Sequence, residues 1–396
     1  MRRFAAFVFL TIAGCASAQI EPSGDPHMDV ARRILSTTPL FDGHNDLPWA
    51  IRGYDAAPHD VAAYDLRTRT SGHTDIPRLR EGMVGAQFWS VYVPSRAVEE
   101  GAAKVQLEQI EIAKQIFDRY PDVFEETLSP GDVMPAFRRG RIASVMGMEG
   151  GHVIENSLGA LRAFYDLGAR YLTLTHSANT DWADAGTALP EHNGLTEFGR
   201  EVVREMNWLG MLVDLSHVAP QTMHDALEVT EAPVIFSHSS ARAVTDVPRN
   251  VPDDVLRRMP ENGGVVMVTF VPGFISREIA EWERVPESAR RGQEPPQATM
   301  EDVILHIEHV RDVAGIDHVG IGSDFDGIST VPVGLEDVST FPALFAELSR
   351  RGWSEADLRK LAGENVLRAW TEAERVSQRL RQERGPSTAT IEELDG

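Results

Sequence analysis

Short, almost continuously apolar runs alternate along this chain with longer stretches whose apolar residues recur every three or four positions. The short runs are PLFDGH (39–44), VGAQFWSVYV (84–93), IASVMGMEG (142–150), YLTLTH (171–176), MLVDLSH (211–217), PVIFSHS (233–239), GVVMVTF (264–270) and HVGIGSDFD (318–326). Strands buried on both faces read this way, as in a parallel sheet covered by helices. The intervening stretches LGALRAFYDLGA (158–169), LTEFGREVVREMNWLG (195–210) and ATMEDVILHIEHVRDVAG (298–315) carry the helical period. Eight strands with helical connections in about 300 residues predict an α/β fold, a (β/α)8 TIM barrel. A doubly wound open sheet is the alternative, but no strand run is followed by the G-x-G-x-x-G of its nucleotide-binding form.

The organisation that follows is a single hydrolase-sized barrel over residues 30–375. Residues 270–297 read as an insertion after the seventh strand, and 384–396 as a flexible tail. A hydrophobic fraction of 42% and a charged fraction of 25% are those of an ordinary globular chain with a sizeable core. The formal charge of −22 excludes nucleic acid as a partner, because phosphate binding needs concentrated Lys and Arg.

The first 18 residues read as a signal peptide, with a basic start, an apolar run from Phe4 to Ile12 and small residues beyond. That run is too short to span a bilayer. Cys15, the single cysteine, follows Ile12-Ala13-Gly14 as in a lipobox, which would make it a lipid anchor. Cleavage after Ala18 is the competing reading. Either way the mature chain is expected to be exported to the periplasm or cell envelope, and without disulfides.

Six of the eight strand runs end in residues able to bind metal or move protons. They contribute His44 and Asp46, then Glu149, His176, His217, His238 and Asp324. In an extended chain residues i and i+2 face one way, so His44 and Asp46 are expected to share a side. A barrel collects all its carboxyl-terminal strand ends on one rim, where its active site is built. Any one of these residues alone is an ordinary polar strand end; seven in the same register form a cluster. Such a set suits two Zn2+ ions better than one, held about 3.5–4 Å apart and bridged by a carboxylate. Some barrel hydrolases use a carbamylated lysine as bridge, but Lys104, Lys114 and Lys360 are the only lysines and none ends a strand. Glu149 is therefore the expected bridge.

The blocks DGHNDLPW, TDIPRLREGMVGAQFWSVYVP, MEGGH, YLTLTHSANTDWAD, GMLVDLSHV, APVIFSHSSARAV, RNVPDD, GIGSDFDG and GENVLR stand in order along the chain. They resemble the renal-type (membrane) dipeptidases, peptidase family M19 of the amidohydrolase superfamily, over about residues 30–370. The resemblance implies a zinc-dependent dipeptidase in which His44 and Asp46 hold one Zn2+, His217 and His238 the other, and Glu149 bridges both. It implies that His176 contacts the substrate and the developing oxyanion, that Arg249 in PRNVPDD grips the substrate carboxylate, and that Asp324 handles the proton of the attacking water. Zinc lowers the pKa of bound water to about 7, which supplies the nucleophile amide hydrolysis needs. Relatives are often homodimers, and mammalian ones exchange a hydrophobic tail for a glycolipid; this chain ends in TIEELDG, which leaves Cys15 as the expected anchor. The TDVP run before Arg249 belongs to a pocket whose surroundings vary, and a D-residue in second position is expected to be tolerated.

The alternative within the same chemistry is a metal-dependent amidohydrolase acting on lactones, β-lactams or phosphoesters, substrates that can lack a carboxylate for Arg249. A non-enzymatic envelope lipoprotein is disfavoured by the complete ligand set. Other residues receive plainer readings. His306 and His309 are packing or surface residues of one helix, His152 a loop residue and Asp326 a secondary polar contact. The second His-x-Asp, His73 and Asp75, lies outside any strand. Trp49, Trp89 and Trp182 either wall the pocket or pack the core.

Overall fold

The computed structural model describes residues 23–396, so the signal segment and Cys15 lie outside the described residues. Nine strands form one parallel sheet: β1 Leu40–Asn45, β2 Val84–Ser90, β3 Phe124–Glu126, β4 Ile142–Glu149, β5 Ala169–Thr173, β6 Leu212–Asp214, β7 Ile235–Phe236, β8 Val265–Val268 and β9 Val319–Ile321. Eight of them close a barrel in the order β1-β2-β4-β5-β6-β7-β8-β9, with β9 returning to β1. Each corresponds to one of the eight apolar runs, and the fold is the expected (β/α)8 TIM barrel. The ninth, β3, was not anticipated. It pairs with the start of β4, Phe124 opposite Ile142, while β5 takes the same edge further along, Thr173 opposite Glu149. Three residues of which two are glutamates carry too little apolar signal to be read as a strand.

Alternation along the strands sorts side chains into two clusters. Ala143 and Val145 of β4 join Phe41, Phe88, Tyr171, Leu212, Ile235 and Met267 inside the barrel. Met146 and Met148 face the surrounding helices instead. Trp370, on the helix Asn365–Glu383, lies 6.1 Å from Phe88 between ring centroids and packs into the interior cluster. From there an aromatic column rises through the interior, Phe41 stacked on Phe88 at 4.7 Å and Phe88 against Tyr171 at 5.1 Å. The ring of Tyr171 fits because β4 has glycine at 147: a Cβ there would lie 2.0 Å from the Tyr171 ring.

The segment after β8 folds as short helices, Pro272–Ile275, Arg277–Arg284 and Glu287–Arg290, before the helix Met300–Ala314 resumes the barrel pattern. On that helix His306 is buried, accepts from the backbone N–H of Ala241 at Nδ1 (2.9 Å) and donates from Nε2 to the carbonyl of Ile275 (3.1 Å). It is a packing residue, as read, and it fastens the loop after β7 to the inserted segment. The last stretch departs from the expected loose tail. Ser387 N–H donates to the buried Glu205 carboxylate (3.0 Å), and the helix Ile391–Asp395 brings Asp395 to cap the helix Glu197–Leu209 at Glu197 N–H (3.0 Å). The signal was the capping box Thr390-x-x-Glu393. Among the described residues no helix is long and apolar enough to cross a membrane.

Burial pushes the His306 imidazole down to about 4 from an ordinary 6.5. Its neutral form therefore stabilises the fold fully above about pH 6.5, and that contribution is lost as pH falls toward 4. His306→Phe orphans Ala241 N–H and leaves Ile275 C=O with Thr245 Oγ1 alone (2.9 Å), and is expected to cost about 1–3 kcal/mol at pH 7. In denaturant unfolding the penalty should shrink between pH 6.5 and 4; a pH-independent penalty contradicts the assignment.

Candidate metal centre

The predicted rim residues converge. His44 is on β1 and Glu149 is the last residue of β4; the others lie beyond the ladders, His176, His217 and Asp324 three residues past β5, β6 and β9, and His238 two past β7. Asp46 reaches the site by a different route from the one expected. The β1 register breaks between Asp42 and Asn45, and Asp46 is the N-cap of the helix Leu47–Arg52 with φ −94° and ψ 26°. The strand has already ended there, so the turn into the helix brings the carboxylate round to His44, 3.2 Å from Nε2.

Glu149 lies at the centre. Its Oε2 faces His44 Nε2 at 3.6 Å. Its Oε1 faces His217 Nε2 at 2.9 Å, His238 Nε2 at 3.3 Å and His176 Nε2 at 3.9 Å. Three overlapping sets result: His44, Glu149 and His238; Glu149, His176 and His217; His44, Asp46 and Asp324. One oxygen of the carboxylate thus faces a single imidazole, His44, and the other faces three. Geometry places His176 as near to Glu149 and His217 as a ligand would be, and its ring lies 4.4 Å from that of His217.

The outer faces of two imidazoles are already committed. His44 Nδ1 meets the Tyr171 hydroxyl at 2.9 Å. His238 Nδ1 meets Ser237 Oγ at 2.8 Å, and Ser237 donates its own proton to the buried Asp214 carboxylate at 2.6 Å. The serine oxygen can then only accept, so His238 carries its proton on Nδ1 and turns a lone pair inward on Nε2. His217 Nε2 and His238 Nε2 stand 2.9 Å apart. Backbone strain accompanies the arrangement: His217, Asp324 and Asp326 have φ of 70°, 66° and 65°, in the left-handed region that favours glycine.

Charge and orphaned atoms fit a cation. His44 Nε2, His217 Nδ1 and Asp46 Oδ1 are buried without hydrogen-bond partners, each a cost of about 1–3 kcal/mol if left so. Against burial, the positive charge of His44 and a hydrogen bond from His217 hold the Glu149 carboxyl well below its ordinary range. Burial, with Arg249 and His176 nearby, keeps the His217 imidazole well below 6.5 and therefore neutral. Burial pushes Asp324 well above the carboxylate range, reinforced by Asp46 and Glu149. His217 and His238 are thus neutral beside an ionised Glu149, while, against burial, Tyr171, Asp46 and Glu149 raise the His44 imidazole well above 6.5. Imidazole and carboxylate are the donors that divalent transition metals take, and such a metal displaces a ligand's proton.

Arg249 borders the site, buried, with hydrogen bonds to Ser239 Oγ and the His238 carbonyl, both 3.2 Å, and its guanidinium 5.2 Å from the Phe274 ring. Burial lowers its pKa to about 10, which still leaves it charged at neutral pH. Among the described residues no carboxylate lies within 4.0 Å of it. On the other flank Tyr92 packs at a tilt of 54° against His176, 4.8 Å between centroids, and meets Trp49 edge-on at 5.0 Å, so Trp49 belongs to the pocket wall. Trp89 and Trp182 are fully buried core residues. The other His-x-Asp stays apart: Asp75 caps the helix Ile76–Glu81 and pairs with Arg78 at 2.6 Å. His73 N–H donates to Asp326 at 2.6 Å, which makes Asp326 the tether of that loop.

A parallel barrel with a metal-ready cluster of imidazoles and carboxylates on its rim is the architecture of the metal-dependent hydrolases. The chain belongs to the membrane dipeptidase family, peptidase family M19, whose family profile matches residues 28–384. Solved structures agree. A metallopeptidase from Rhodobacter sphaeroides, liganded with a phosphinate mimic of the dipeptide L-Ala-D-Ala, is 30% identical with a TM-score of 0.74 over 85% of this chain and 99% of that one. The probable dipeptidase PvdM from Pseudomonas aeruginosa is 25% identical with a TM-score of 0.76, over 88% and 99%. A dipeptidase of family M19 is 30% identical with a TM-score of 0.73, over 85% and 99%.

Sequence reasoning missed the partners behind the ligands, Tyr171, Ser237 and Asp214. Ser237 sits next to His238 in IFSHS, and Asp214 three before His217 in VDLSH, but only the fold joins them. Removing the Ser237 hydroxyl frees the His238 tautomer. Ser237→Ala is expected to weaken metal affinity about 10–100-fold, read by chelator competition, while Ser237→Thr retains it. Equal affinity in all three proteins overturns the role.

Proposed function

We propose that the chain is an exported dizinc dipeptidase, with one Zn2+ held by His44 and Asp46, the other by His217 and His238, and Glu149 bridging. The observation that carries this reading is the division of Glu149 between His44 on one oxygen and His217 and His238 on the other. Zinc, when bound, would supply Lewis acidity and a water activated at neutral pH. The chain's own residues then divide the remaining tasks. Asp324, half-buried beside Asp46 and Glu149, is suited to take up a proton from the attacking water and return it to the leaving amine. His176, 20% exposed at the mouth, is placed to oppose charge on the carbonyl oxygen. Arg249 offers a planar fork to the substrate carboxylate.

The phosphinate mimic of L-Ala-D-Ala bound by the Rhodobacter sphaeroides relative supports acceptance of L-Xaa-D-Xaa substrates. The basic, apolar and small-residue order of the first 18 residues supports export, with Cys15 as the site of lipidation. The carboxylate requirement of Arg249 favours dipeptides over lactones or phosphoesters.

Purified mature protein should hydrolyse L-Ala-L-Ala and L-Ala-D-Ala, lose activity on chelation and regain it with Zn2+. Failure on every dipeptide defeats the proposal, and failure on L-Ala-D-Ala alone defeats the stereochemical part. Metal analysis should give two ions per chain, and one or fewer in Glu149→Gln. Arg249→Met is expected to lower kcat/KM about 10²–10⁴-fold by removing two charged hydrogen bonds; a smaller loss on dipeptides than on a lactone would reverse the role assigned to it.

A further inference from the structure

A cavity of about 930 Å³ opens beside the metal centre, between the inserted segment after β8 and the loop that follows Asp324. Its inner end is defined by two residues already in contact with the site. Phe274 carries Arg249 on its ring at 5.2 Å. Gly327 lies so close to the reacting carboxylates that a Cβ there would stand 2.3 Å from Asp46 Oδ2 and 2.5 Å from Asp324 Oδ1. The cavity therefore adjoins, through Phe274 and Gly327, the place where a substrate carboxylate would dock.

Its wall is apolar along Phe274, Ile279, Trp282 and Ile328, and it is charged at Glu283 and Glu294; no lining residue is basic. Glu283, exposed at the rim of the cavity, leans over the start of the inserted segment: a Cβ on Gly273 would lie 2.9 Å from its Oε2 and 3.3 Å from its Oε1. Among the described residues neither glutamate has a basic group within 4.0 Å. Arg290 is close by, but its guanidinium is stacked on the Trp282 ring at 4.2 Å. From Arg249 outward the order is a cation, an aromatic ring, then an unpaired carboxylate.

That order complements one kind of residue. An α-carboxylate at Arg249 sends its side chain past Phe274, and a cation at the end of a long apolar stem arrives beside Glu283. Long basic side chains bury their methylenes on apolar surface and keep the charged head in a polar setting. We infer that this cavity is the pocket for the side chain of the dipeptide's carboxyl-terminal residue, and that it selects lysine or arginine there. The inference rests on the dipeptidase reading and names the substrate class of the same site.

The test uses zinc-loaded enzyme and the dipeptides Ala-Ala, Ala-Leu, Ala-Lys, Ala-Arg and Ala-Glu, each with its second residue in L and in D form. In the preferred stereochemical series, Ala-Arg and Ala-Lys should exceed Ala-Ala in kcat/KM by about 10–100-fold, through stem burial and pairing with Glu283, with Ala-Glu lowest. The ratio of Ala-Arg to Ala-Ala should fall several-fold in Glu283→Gln, mainly through KM, and the order of Ala-Arg and Ala-Glu should invert in Glu283→Lys. Measurable Ala-Ala turnover in both variants certifies that they fold. Ala-Leu equal to Ala-Arg, or a ratio untouched by Glu283→Gln, overturns the assignment while leaving the dipeptidase intact. No turnover of any dipeptide by the unmodified enzyme overturns both together.

Discussion

One carboxylate shared among four imidazoles, His44 on one oxygen and His176, His217 and His238 on the other, sets the terms for the rest of this site. Glu149 must hold its negative charge in a dry location, and its position follows from the barrel itself. It is the last residue of β4, whose end is clamped between β2 and β5 by the pairs Ser90–Gly147 and Glu149–Thr173. A carboxylate on a clamped strand end cannot withdraw to solvent. It stays ionised because the neighbouring imidazoles and their hydrogen bonds outweigh the cost of burial. Everything placed around it has to supply lone pairs or positive charge.

That demand explains the polar links between strands. Asp42 on β1 accepts from Ser323 N–H (2.7 Å) and Oγ (2.6 Å), just before Asp324. Asp214 on β6 accepts from Ser237 N–H (2.8 Å) and Oγ (2.6 Å), just before His238. Each is a buried aspartate that fixes a serine on the neighbouring strand's outgoing loop, and each serine directly precedes a residue of the cluster. The pattern is the same at two places on the rim. It holds the loops that carry Asp324 and His238, as the positive φ of Asp324 and His217 requires: such backbone persists only where its surroundings over-determine it.

The barrel was legible because its strands are buried on both faces and therefore apolar without interruption, and its rim was legible because each run ended in a ligand-type residue. What stayed hidden had no one-dimensional trace. Phe124–Glu126 is too short and too acidic to register as a strand. Asp46 was placed in the right site by the wrong geometry, since a period-two argument fails once the chain turns into a helix at that residue. The docked end at Asp395 is written only as a capping box, which marks a helix start and not the surface that the helix docks on. Tyr171, Ser237 and Asp214 act through contacts across strands, and Tyr171 depends on the space left by Gly147. His73 and Asp75 show the converse. Their spacing matched His44 and Asp46, but without a strand behind it the pair served a helix cap and a loop tether.

The burial of Arg249 bears on how long a substrate the site can take. Its guanidinium is immobilised by Ser239, the His238 carbonyl and Phe274, and it is only 4% exposed. Because it hydrogen-bonds the backbone of His238 itself, its distance to the metal-ready cluster is set within one loop. In the role proposed for Arg249, a substrate carboxylate docks on this fork while the scissile carbonyl lies at the Glu149 and His176 cluster. An internal segment of a longer peptide would bring a neutral amide to the same point. It would leave a charged guanidinium desolvated and unpaired, a larger penalty than a missing contact elsewhere in the pocket. On that proposed role the limit on substrate length is electrostatic before it is steric, and it comes from the placement of one fixed cation.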